Sequence, residues 1–153
     1  MELVQIKEEF EIDVGSPTPY ILSNEFDTFL LFYKQSFSNE LDYKPVTIKF
    51  HFVQQYKFGS PNDEAISGHP YFKIGLEAYS IFEVKKSDWI EQLRMMNKVH
   101  PYHSDDLFNS FKHYIFFFHD TCFEIVCKTY EALTHSSKSM TEEIDRVSKL
   151  LKI

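Results

Sequence analysis

The run Phe111–Lys128, FKHYIFFFHDTCFEIVCK, constrains this chain more than any other stretch. It is the densest apolar segment, interrupted once by His119-Asp120-Thr121. Aromatic and β-branched residues fill both arms, as strands prefer, so the segment reads as a β-hairpin through the core. A two-residue turn at Asp120-Thr121 sets His119 opposite Cys122, Phe118 opposite Phe123, Phe116 opposite Ile125 and Tyr114 opposite Cys127. Alternation then gathers Tyr114, Phe116, Phe118, Phe123, Ile125 and Cys127 on one apolar face. The opposite face, with His113, Ile115, Phe117, Glu124, Val126 and Lys128, is mixed. Asp-Thr lacks the glycine that primed two-residue turns favour, and a longer loop would change this register.

The rest of the chain supplies partners for such a hairpin. Residues 3–14 contain alternating pieces that fit one or two strands, and Gly15-Ser16-Pro17-Thr18-Pro19 breaks them. The run TFLLFY at 28–33 is a short buried strand. Residues 36–45 are polar and turn-like. In 46–53, Val46, Ile48, Phe50 and Phe52 point inward while Thr47, Lys49 and His51 point outward, the pattern of a half-exposed antiparallel strand. Residues 58–75 hold Gly59, Gly68 and Gly75 with Pro61 and Pro70, and form a loop longer than common connections. Residues 78–84 return to strand.

A helix is expected over Asp88–Asn97, capped by Ser87 or Asp88. Trp89, Leu93 and Met96 lie on one of its faces, and Pro101 stops it. Asp105 and Asp106 start a further turn of helix. A second main helix is expected over Met140–Leu151, with Ser139 and Glu142 at capping-box spacing and Ile144, Val147, Leu150 and Leu151 inward. The whole reads as one α+β domain over 1–153, a bent antiparallel sheet of about five to seven strands packed by two main helices.

Composition narrows the classes of function. The formal charge is −7, from 16 basic and 23 acidic residues, which disfavours nucleic acid or an anionic membrane and suits a basic protein partner. Cys122 and Cys127 point to opposite faces of one strand and cannot bridge each other. Buried thiols and an acidic, alternating N-terminus point to a reducing, cytoplasmic setting. The longest apolar stretch, 114–118, is too short to span a bilayer.

Few constellations carry chemistry. His100 and His103 with Asp105 and Asp106, the His119-Asp120 pair and His69 are of ligand type for zinc or iron, but without a second pair of fixed spacing. His119 opposite Cys122 supplies a base and a thiol without an oxyanion hole or an orienting group. The 59–70 loop contains neither a dinucleotide fingerprint nor a Walker pattern, so no cofactor is implied.

The segments GHPYFKIGLEAYSIFEVKKSDWI, HPYH and HYIFFFHDTCFEIV resemble a small bacterial family with no established activity, which pairs a G-H-P loop with an F-H-D-x-x-F-E hairpin. The resemblance covers roughly residues 60–128 and implies no function. Size and charge are also those of immunity proteins that neutralise toxins. The sequence thus points to a non-catalytic protein-binding module that meets a basic partner through Asp63, Glu64, His69, Asp105 and Asp106. The alternative is a metal-dependent hydrolase using His100, His103, His119 and Asp120.

Overall fold

In the computed structural model, residues 1–36, 44–134 and 137–152 are described. The turn expected over 36–45 falls mostly outside them. The strands are β1 (Glu2–Ile6), β2 (Tyr20–Ser23), β3 (Thr28–Tyr33), β4 (Pro45–His51), β5 (Gln55–Gly59), β6 (Ser80–Lys85), β7 (Lys112–Phe117), β8 (Cys122–Cys127) and β9 (Thr129–Ala132). The helices are α1 (Asp88–Asn97), α2 (Asp105–Asn109) and α3 (Met140–Ser148), with 3₁₀ turns at Asp63–Gly68 and Phe72–Ile74. The expected α+β class with antiparallel pairing is present. Its strands form two sheets, ordered β1-β6-β7-β8-β5 and β2-β3-β4-β9.

The sheets face each other across one core. Leu30, Phe32, Val46, Ile48 and Phe50 come from the four-stranded sheet. Ile81, Tyr114, Phe116, Phe118, Phe123, Ile125 and Cys127 meet them from the five-stranded sheet or its hairpin. Helix α3 covers the outer face of the four-stranded sheet through Met140 and Val147 against Phe29 and Leu31. Helices α1 and α2 cover part of the five-stranded sheet through Trp89 and Phe108, packed with Phe111 and Val126. Covering both faces explains why TFLLFY runs apolar without alternating.

The hairpin closes through four residues. Phe117 pairs with Cys122, Phe116 with Phe123, Tyr114 with Ile125 and Lys112 with Cys127, and the Phe118 N–H donates to the Thr121 carbonyl at 2.9 Å. The expected two-residue turn and its pairings are therefore displaced by two residues, in keeping with the missing glycine. Because the side-chain period is also two, every residue keeps its face. His119 consequently does not sit opposite Cys122.

Other departures are local. Phe52 lies beyond β4 with φ 55° and faces solvent, not the core. Thr47, expected outward, is buried because α3 lies over it, and its hydroxyl donates to the Glu143 carboxylate at 2.5 Å. Trp89 is buried and Leu93 half-buried, but Met96 is 69% exposed, outside the cluster that Trp89, Ile90 and Leu93 form with Phe108, Phe111 and Val126. Ser87 is the cap of α1 and Ser139 the cap of α3. Helix α3 ends at Ser148, and Leu150 is exposed.

Candidate functional site

The residues singled out from sequence fall in three places. His69 joins a buried network beneath α1. Asp63 meets His119 at the hairpin tip, with Glu64 exposed beside it. Asp105 joins His103 and Arg94 where α1 turns into α2, with His100 in the same turn and Asp106 exposed. The tip follows β7 and α2 precedes it, so roughly 20 Å of strand separates His119-Asp120 from the α1–α2 turn. Among the described residues, no three His, Cys, Asp or Glu side chains converge on a position that could hold a metal ion.

The buried network is built on the mixed face of the hairpin. Opposite Glu124 stands Ile115, and opposite Val126 stands His113, which makes Glu124 and His113 diagonal neighbours. Glu124 Oε1 accepts from His113 Nε2 at 2.9 Å, and Glu124 Oε2 lies 3.8 Å from His69 Nε2. On its other side, His113 Nδ1 lies 2.8 Å from the Ser87 hydroxyl. The Ser87 oxygen in turn accepts the Ile90 N–H and caps α1. Trp89 and Tyr71 meet the His113 ring edge-on at 5.1 and 5.8 Å. Burial works to raise the Glu124 pKa, but the hydrogen bonds and charges of His113 and His69 outweigh it and hold the group at about 2. Serine, imidazole and carboxylate stand here in the order of a hydrolytic triad. His113 is wholly buried and Ser87 and Glu124 nearly so, so the network locks α1 to the sheet and leaves no approach for a substrate.

The thiols are no better placed as nucleophiles. Burial pushes Cys122 up to about 11 and Cys127 up to about 12, which leaves little thiolate at neutral pH.

The α1–α2 turn is different, because it displays apolar side chains. Val99 is 92% and Tyr102 88% exposed, beside the exposed Met95 and Met96, with Leu107 partly exposed on α2. The turn that carries them is internally tied. The His100 N–H donates to the Asn97 carbonyl at 2.9 Å and the His103 N–H to the His100 carbonyl at 3.0 Å. The Tyr102 N–H donates to His100 Nδ1 at 3.1 Å, and the Asn97 amide meets His103 Nδ1 at 3.0 Å. Arg94 bonds both Glu91 and Asp105, joining the two helices. His103, at 2.8 Å, and then Arg94 hold the Asp105 carboxyl below its usual range. Asp106 has no ion-pair partner among the described residues. The sequence marked the two aspartates here but not the apolar ridge; HPYH, a proline turn with an aromatic at its tip, was the available signal.

No protein-family model matches this chain, and no curated protein or solved structure matches it either. No helix of the described residues is long and apolar enough to cross a membrane.

Proposed function

We propose that this protein is a non-catalytic protein-binding module, of the kind an immunity protein represents, and that its α1–α2 turn meets a basic partner protein. The observation that carries the reading is the near-complete exposure of Val99 and Tyr102 on a turn whose own groups are hydrogen-bonded to one another. Apolar side chains on a tied backbone lose little freedom on docking. Tyrosine and methionine are enriched in interface cores. Asp105 and Asp106 follow the turn directly at the start of α2, Asp105 shares Arg94 with Glu91, and the chain has a formal charge of −7. That surround favours a partner with an apolar patch rimmed by Lys and Arg, and steers its approach. Asp63 is hydrogen-bonded to Tyr79 and His119 at the hairpin tip, apart from this turn.

The test is capture with wild-type protein followed by binding of the purified candidate. A basic partner should be retained, and Tyr102→Ala and Val99→Glu should each weaken it by about 30-fold or more, as for residues at the centre of an interface. Asp106→Lys should slow association and flatten its salt dependence without changing the fold. Equal binding by all three variants, or a ridge that only joins two copies of this chain in light scattering, would overturn the reading.

A further inference from the structure

Two sheet edges lie open along one side of the molecule. Among the described residues, β2 pairs with β3 alone and β5 with β8 alone. Alternate residues of each strand therefore turn their N–H and C=O groups away from the ladder, where an added strand can bond them. Two clefts join these edges end to end. One, of about 200 Å³, lies between Pro17 and Pro19, just before β2, and Phe58, near the end of β5. The other, of about 310 Å³, lies between Ser23 and Phe26, at the end of β2, and Tyr56, at the start of β5. β2 and β5 thus run in opposite directions along a single slot.

β5 is the better prepared of the two edges to receive a strand. Phe58 pairs with Phe123 and Tyr56 with Ile125, both core residues, so these two side chains lie on the core side of the sheet. Both are nevertheless exposed, as is Phe26 across the slot. Open edges are commonly guarded by a lysine. The lysine of β5, Lys57, is drawn instead over the Trp89 ring, with its nitrogen 3.9 Å from the centroid.

Charge indicates the occupant. Each cleft is lined by one exposed carboxylate, Asp120 beside His119 in the first and Glu25 in the second, and neither is lined by lysine or arginine. A strand that fits both ends carries a cation at each end and apolar side chains between. A second copy of this chain fits poorly, because its own β5, QYKFG, brings one cation to the middle of the strand and none to the ends.

We propose that the slot between β2 and β5 takes an extended segment of another protein, which adds to β5 as a sixth strand of that sheet. Main-chain hydrogen bonds to β5 hold it. Its apolar side chains cover Tyr56 and Phe58, and a lysine or arginine at each end meets Glu25 or Asp120. The proposal does not rest on the α1–α2 ridge.

The experiment uses the full chain, ¹⁵N-labelled, and three capped peptides, KVTVTVK, EVTVTVE and KVTPTVK. The first places its cations about 20 Å apart, past both ends of β5. KVTVTVK should shift the amides of Gln55–Gly59 saturably and slow their exchange with solvent. EVTVTVE reverses the end charges and KVTPTVK lacks the central N–H, so each should bind at least about 10-fold more weakly. Glu25→Lys with Asp120→Lys, both at exposed positions, should reverse the order of KVTVTVK and EVTVTVE. Phe58→Lys, which restores a guard to the edge, should weaken KVTVTVK about 10-fold. Tyr102→Ala should change nothing, which separates this slot from the α1–α2 turn. Equal binding of the three peptides, an order unchanged by the double reversal, shifts confined to residues outside β5, or β5 amides already protected without peptide in a dimer of this chain would overturn the proposal.

Discussion

Replacing Phe116 by alanine should lower the free energy of unfolding by about 3–5 kcal/mol, the range for emptying a buried aromatic site. β7 is the middle strand of the five-stranded sheet, and Phe116 is fully buried where the two sheets face each other. Its ring meets Phe50 edge-on at 5.8 Å, Tyr130 at 5.7 Å and Phe123 at 6.2 Å. These neighbours belong to β4, β9 and β8, so truncation removes contacts on both sides of the core. Strands paired on both edges have little room to collapse into the space left behind, which favours the upper part of the range. With a typical urea dependence of 1–3 kcal/mol per M, the midpoint should fall by at least about 1 M. Phe26→Ala, at a side chain 70% exposed, should stay within about 0.5 kcal/mol. Similar losses for the two variants would mean that the inter-sheet core does not hold the fold. Amide exchange offers a second check: the backbone of Tyr114–Phe117 and Phe123–Val126 should be among the slowest to exchange.

The hairpin was legible because both arms are long, aromatic and β-branched, and because alternation survives an error of two residues. The helices were legible through their caps: Ser87 and Ser139 each precede an amphipathic run, and each accepts a backbone N–H of the first turn. What escaped was short, polar or dependent on what lies above it. β9 reads TYEA and β5 reads QYKFG, neither with enough apolar content to announce a strand, and both depend on a neighbour already in place. β2 is four residues behind a proline pair. That strands such as TFLLFY need cover on both faces implies a second layer, but nothing local says that the layer is another sheet.

The site was legible only in pieces. Glu143 sits three residues after Met140 and four before Val147, on the apolar stripe of α3, where the sequence shows a charge and only the fold shows Thr47 and Ser137 waiting for it. Asp63 and His119 were both marked, for different reasons, but 56 residues separate them, and no periodicity links a loop to a hairpin tip. His113 and Glu124 were placed on one face by alternation. Their burial depends on α1 and on the turn carrying His69 and Tyr71, which pack over that face through long-range contacts.

The same buried network supports the second large effect. His113→Phe should destabilise the protein by roughly 3–5 kcal/mol at pH 7, the cost of removing one side of a buried pair and leaving the other charged. The ring is retained, so the packing against Trp89 and Tyr71 changes little, while Glu124 keeps only His69 at 3.8 Å and Ser87 loses its imidazole. The pH dependence follows from the Glu124 shift. In the wild type its folded pKa, about 2, lies below the ordinary value of 4.5, so its contribution to stability is present above pH 4.5 and is lost as pH falls through 2. Without His113, burial is left opposed only by His69, and the folded pKa rises. The variant's deficit should therefore be largest near neutral pH and shrink in acid, where Glu124 takes up a proton and no longer needs a partner. Glu124→Leu in the His113→Phe background should recover part of the loss, because a pair replaced on both sides leaves no orphaned charge. Urea unfolding of the wild type, the two single variants and the double variant, at pH 7 and at pH 4, closes this cycle. A double variant at least as unstable as the two single losses added together, with a deficit independent of pH, would mean that His113 and Glu124 contribute separately to packing and that their hydrogen bond does not hold α1 on the sheet.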